Sequence, residues 1–147
     1  MTKDILSKNN GFTLLELLFV VAVTVMLLSF SVIGLKSIWD SLERHLFFTQ
    51  LKSDLFYAQS YAMSHQQAVN VKILPFSDTY WIKPLGQEII IERQIPSSVT
   101  VGNSSLHSIY FRADGNITKF GTMTFHTPRG TTKIIFYIGR GRFRVQE

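Results

Sequence analysis

The chain has 147 residues, room for one long helix and one globular unit of roughly a hundred residues, which excludes a multidomain enzyme. It has no cysteine, which excludes a disulfide framework, cysteine metal sites and thiol chemistry, and its 12 phenylalanines supply a real core rather than a disordered chain. The net charge of +5 is uneven: residues 36–93 hold six bases and six acids, residues 112–147 seven bases and two acids, so basic character gathers at the C-terminal end.

Residues 1–11 form a polar leader, and its Lys3 and Lys8 favour the cytoplasm for that end. Residues 12–35 follow as an apolar run with one charge, Glu16. A helix of roughly two dozen such residues spans a bilayer core, so this stretch is predicted as a transmembrane segment. A carboxylate in the middle of such a run costs about 2.5 to 3.5 kcal/mol, less near its end, and it needs a compensating partner. A cleavable secretory signal does not fit, since its apolar core is about 7 to 15 residues and this run is longer and carries an acid. A plain signal anchor fits the length but gives no reason for the order Gly11-Phe12-Thr13-Leu14-Leu15-Glu16.

Apolar residues then recur at mostly three- and four-residue steps through Leu35, Ile38, Trp39, Leu42, Leu46, Leu51, Leu55, Ala58 and Ala62, which predicts that the helix continues over 36–66, to about His65. Asp40, Glu43, Arg44, Lys52 and Asp54 fall at the intervening polar positions. From residue 67 to 147 the pattern becomes short β-prone runs: 68–74, 79–83, 88–95, 99–101, 108–112, 122–126, 133–138 and 143–145. Prolines and glycines separate them, with turns expected at Asp114-Gly115-Asn116 and Pro128-Arg129-Gly130. The predicted class is α+β, a long N-terminal helix whose amphipathic half packs on a C-terminal antiparallel β-sheet unit.

The motif Gly11-Phe12-Thr13-Leu14-Leu15-Glu16 behind a short basic leader resembles the processing site of type IV pilins and pseudopilins. The resemblance implies a prepilin peptidase that cuts after Gly11 and methylates the new amine of Phe12, and a Glu16 that pairs with the N-terminal amine of a neighbouring subunit, offsetting the cost of its desolvation. A glycine before the cut leaves room for a protease to approach the backbone. The run Phe111-Arg112-Ala113-Asp114-Gly115, then Gly121 to Phe125, Ile134 to Ile138 and Gly139-Arg140-Gly141-Arg142 is similar to the C-terminal half of minor pilins of the GspH and FimT type and to the competence pseudopilins of the ComGD type. Many major pilins have a helix-breaking proline in the membrane half; here Gly34 is the weak point instead.

The likeness implies a minor pilin of a competence pilus needed for uptake of transforming DNA, with other pilins, the prepilin peptidase and the cytoplasmic membrane as partners. It implies a single pass with the C-terminal unit outside, reaching the cell surface in the filament. A type II secretion pseudopilin is the alternative.

No catalytic constellation, metal site or cofactor site is predicted. His45, His65, His107 and His126 are scattered without ligand spacing, Glu88 and Glu92 read as solvated sheet residues, and Gly139-Arg140-Gly141-Arg142 lacks the ending of a phosphate loop. The tail carries the remaining candidate. If 140–145 is extended, Arg140, Arg142 and Arg144 share one side, a stripe matched to double-stranded DNA phosphates and broadened by Lys119, Arg129 and Lys133. The alternatives are an edge-strand solubility device and a docking face for an acidic neighbouring pilin.

Overall fold

A computed structural model describes residues 12–137, 139 and 141–146, the side chains of 31–37 excepted. One helix, α1 (Leu14–Ser64), precedes eight strands: β1 (Val69–Leu74), β2 (Thr79–Pro84), β3 (Ile91–Gln94), β4 (Thr100–Val101), β5 (Ser108–Phe111), β6 (Gly121–Thr127), β7 (Gly130–Phe136) and β8 (Phe143–Gln146). The chain divides into two compact units, Met1–Trp39 and Asp40–Glu147.

The start and end of α1 follow from local chemistry. Thr13 precedes the first turn and its Oγ1 accepts the Glu16 N–H at 3.3 Å, the N-cap half of a Thr-x-x-Glu pattern, with Glu16 placed where the helix dipole favours an anion. At the other end Gln66 turns left-handed (φ 50) and Gln67 N–H closes back onto Ala62 C=O at 3.1 Å, which stops the helix.

In the first unit the described side chains from Phe12 to Phe30 are all exposed. No helix among the described residues is long and apolar enough to cross a membrane. Leu14 to Phe30, the apolar part with described side chains, makes about 25 Å of helix at 1.5 Å per residue, against about 30 Å of hydrocarbon.

The second unit contains two four-stranded antiparallel sheets, ordered β3-β2-β1-β5 and β4-β6-β7-β8. The chain lays down β1, β2 and β3 as a meander, crosses to the far edge of the second sheet as β4, and returns to the first as β5 beside β1. It then completes the second sheet. The core forms where α1 meets both sheets: Phe47, Leu51, Leu55, Ala58 and Ala62 from the helix, Val69, Val71, Tyr80, Ile82, Ile109 and Phe111 from the first sheet, Met123, Phe125, Ile134 and Phe136 from the second. Phe47 stands edge-on to Tyr80 and Phe125 at centroid distances of 6.2 and 6.0 Å, so one helical side chain ties the two sheets together.

Several predicted details change. The 88–95 run is a strand only over Ile91–Gln94. Gly86 at φ 78 takes the chain into a loop that Gln67 and Gln87 hold by hydrogen bonds, leaving Ile89 and Ile90 exposed. The helical stripe is also displaced: Leu42 and Leu46 are about half exposed, while Phe47 takes the buried position, and Arg44 and Asp54, expected at polar positions, are buried.

Candidate functional site

The N-terminal motif is described from Phe12 onward; Gly11 and the 1–11 leader lie outside the described residues. Phe12 and Glu16 are exposed, and Glu16 sits in the first turn of α1. The helix therefore presents a carboxylate one turn from its start, with apolar side chains exposed on every side behind it.

The basic tail is organised by the register of the second sheet. On its outer face Thr122, Ile135 and Arg144 stand in one row across β6, β7 and β8, and Thr124, Lys133 and Gln146 in the next. One step beyond the Phe136–Phe143 pair, Tyr137 donates its N–H to the Arg142 carbonyl at 3.0 Å, which sets Tyr137 beside Arg142, and Phe120 borders the same depression as Tyr137. Arg142 and Arg144 are exposed while Phe143 and Val145 pack inward, so the predicted alternation holds from residue 142; the tail is not extended through 140–145, because Gly141 turns at φ 60. Lys133 lies diagonally from Arg144, within about 8 Å. Strands β6, β7 and β8 contain no acid.

The other predicted bases fare differently. Lys119 is exposed beside Phe120 in the lead-in to β6. Arg129 occupies the β6–β7 turn at the opposite end of the hairpin, eight residues from Tyr137 and so about 25 Å from Arg142, too far to join the same cluster. Arg140 lies outside the described residues.

The tail is also anchored in a way the sequence reading missed. Gly141 is buried at φ 60, and a Cβ there would collide with the Gly115 carbonyl and the Gln59 amide. Gln59 Nε2 itself donates to Gly115 O at 2.9 Å. The predicted Asp114-Gly115-Asn116 turn exists, closed by Asn116 N–H to Asp114 Oδ1 at 2.9 Å. Asp114 is held below the usual carboxylate range, first by the Asn116 side chain and then by its backbone N–H. The glycine between the arginines is thus a seat on this turn and on α1, and the direction of Arg142 follows from it.

A second cluster escaped the sequence reading because it joins distant residues. Asp54, nearly buried on α1, accepts Tyr80 O–H at 2.7 Å, Arg93 Nε–H at 2.7 Å and Gln50 Nε2–H at 2.8 Å. Burial raises the Tyr80 phenol well above its usual range, and the bond to Asp54 adds to this; the same carboxylate raises Arg93. The available signal was spacing, since Asp54 lies three residues after Leu51 and four before Ala58, on the buried stripe. This cluster pins α1 to β2 and β3. Glu92 on β3 faces Trp81 on β2 while Glu88 is in the loop before β3, so the two do not form a strand pair. Among the described residues no three His, Asp or Glu side chains group to hold a metal.

Residues 6–32 match the prokaryotic N-terminal methylation motif. No curated protein sequence matches the chain. The fold is similar to that of the type IV minor pilin FimU of Pseudomonas aeruginosa, with a TM-score of 0.56 and 16% identity over 67% of this chain and 84% of that one. It is likewise similar to the minor pseudopilin EpsH of the Vibrio cholerae type 2 secretion system, with a TM-score of 0.54 and 11% identity over 67% of this chain and 91% of that one. These likenesses establish an α+β fold of the minor pilin kind.

Proposed function

We propose that this chain is a minor pilin or pseudopilin subunit, a structural part of a type IV pilus-like filament. The observation that carries this reading is an N-terminal methylation motif running directly into a helix with exposed apolar side chains on every face. Such a surface needs lipid or other helices around it. In this reading the prepilin peptidase removes residues 1–11 by cutting after Gly11 and methylates Phe12. The 12–35 stretch anchors the chain in the cytoplasmic membrane, with the globular unit outside, and then packs among neighbouring pilins in the filament. Glu16 meets the terminal amine of a neighbour, and the attraction offsets the cost of moving the carboxylate out of water.

The system we favour is a competence pilus that takes up DNA, because Arg142, Arg144 and Lys133 gather on the outer face of strands that hold no acid, which suits a polyanion. A type II secretion pseudopilus is the second reading, favoured by the fold likeness to the Vibrio cholerae pseudopilin.

The test separates processing from assembly. Gly11→Val should leave the leader attached, read as an unshifted mass of the membrane protein, and leader removal in that variant would refute the cleavage site. Glu16→Ala should be processed normally and remain in the membrane, yet be missing from sheared filaments; normal incorporation would refute the pairing role.

A further inference from the structure

The outer face of the second sheet carries more than charge. Phe120 is 67% exposed and Tyr137 46% exposed, large apolar rings left in solvent beside Arg142. Two shallow depressions meet at Tyr137. One, of about 420 Å³, lies between Phe120 and Tyr137 over Thr122 and Ile135; the other, of about 430 Å³, is bounded by Tyr137, Arg142 and Arg144.

A phosphate stripe by itself has no use for rings at this position. In a duplex the base faces are stacked on one another and hidden, so exposed aromatic side chains gain little from it. In a single strand each base offers a free face, and stacking on aromatic side chains beside cations is the sequence-tolerant way to hold it. The spacing suits this: neighbouring rows on the sheet lie about 7 Å apart and adjacent strands about 4.8 Å apart, so a chain crossing the face meets rings first and guanidiniums next. The first sheet shows what an engaged aromatic looks like. There Trp81 faces Glu92 across the ladder and the Lys72 ammonium lies 6.0 Å over its ring, so ring and cation already serve each other.

We propose that this face binds single-stranded DNA, with Tyr137 and Phe120 stacking on unpaired bases while Arg142, Arg144 and Lys133 hold the adjoining phosphates. The inference rests on the DNA-binding reading above and sharpens its substrate: the preferred ligand is a single strand or a frayed duplex end rather than continuous duplex.

The experiment uses the full chain in nonionic detergent with three probes, an oligothymidine of about twelve nucleotides, a blunt duplex of equal length and a polyglutamate peptide. Wild type should prefer the oligothymidine. The Phe120→Ala, Tyr137→Ala double variant should bind it at least roughly thirtyfold more weakly and bind duplex almost unchanged. Tyr137→Phe should retain binding, which separates loss of the ring from loss of folding. Arg142→Gln with Arg144→Gln should weaken both nucleic acids.

If the double alanine variant binds both as wild type does, stacking is refuted and the phosphate stripe stands. If wild type binds neither nucleic acid, the DNA reading falls with the proposal; if it binds polyglutamate as tightly as DNA, the DNA reading falls likewise and the face belongs to an acidic protein.

Discussion

Asp54 shows how one buried carboxylate organises the second unit. Its oxygens satisfy a buried phenol, a guanidinium and an amide, each from a different place in the chain. Asp54→Asn keeps the volume but removes the charge-assisted bonds, and unfolding in urea should report a loss of about 1 to 3 kcal/mol. Arg93, 44% exposed, recovers much of its hydration, so Tyr80 carries most of that cost. The same group sets an alkaline limit. The folded phenol titrates above the unfolded value of about 10, so the unfolded chain loses its proton first. Stability is therefore full below about pH 10 and declines as pH rises beyond it. Tyr80→Phe should flatten that decline, measured as melting temperature from about pH 8 to about pH 12; an equally steep decline in the variant would refute the assignment.

At the level of elements, the arginine-bearing tail is held by glycine chemistry. Gly139 and Gly141 both take positive φ, 98 and 60, but only Gly141 is packed against other atoms. Gly141→Ala adds left-handed strain of about 1 to 2 kcal/mol to a collision with the Gly115 carbonyl. It should destabilise the unit by more than about 2 kcal/mol and turn Arg142 away from the sheet face. Gly139→Ala, with open space around it, should show the strain alone. Equal urea midpoints for the two variants would mean that the seat on the turn is unimportant. The helix teaches a related lesson. Its buried stripe through Leu51, Leu55, Ala58 and Ala62 is the one the sequence pattern predicts, whereas nearer the N-terminus Phe47 replaces Leu46 because its ring reaches between the two sheets.

For the molecule as a whole, charge placement outweighs total charge. A net +5 spread evenly would give weak general attraction to any polyanion. Arg142, Arg144 and Lys133, gathered on one face of strands that hold no acid, predict a salt response: duplex binding by the full chain should fall linearly on logarithmic axes as salt rises. Arg142→Gln and Arg144→Gln should each lower the slope by about one, and a slope insensitive to both would place the contacts elsewhere. Arg129→Gln, about 25 Å away at the hairpin turn, should leave it unchanged for a short duplex.

Much of this was legible in the sequence, because local signals carry it. The helix from the motif to residue 64, most strand positions apart from the shortened 91–94 strand, the two turns and the in–out alternation of Phe143, Arg144 and Val145 follow from periodicity, capping and turn residues acting within a few positions. What only the tertiary structure decided depends on residues far apart in the chain meeting at short range. The split of the strands into two sheets, the burial of Asp54 beneath Tyr80 and Arg93, the seating of Gly141 on Gly115, and the meeting of Phe120, Tyr137 and Arg142 at the ends of three strands are matters of pairing register and packing. No local pattern encodes those, since each is set by which distant partner wins the shared buried surface.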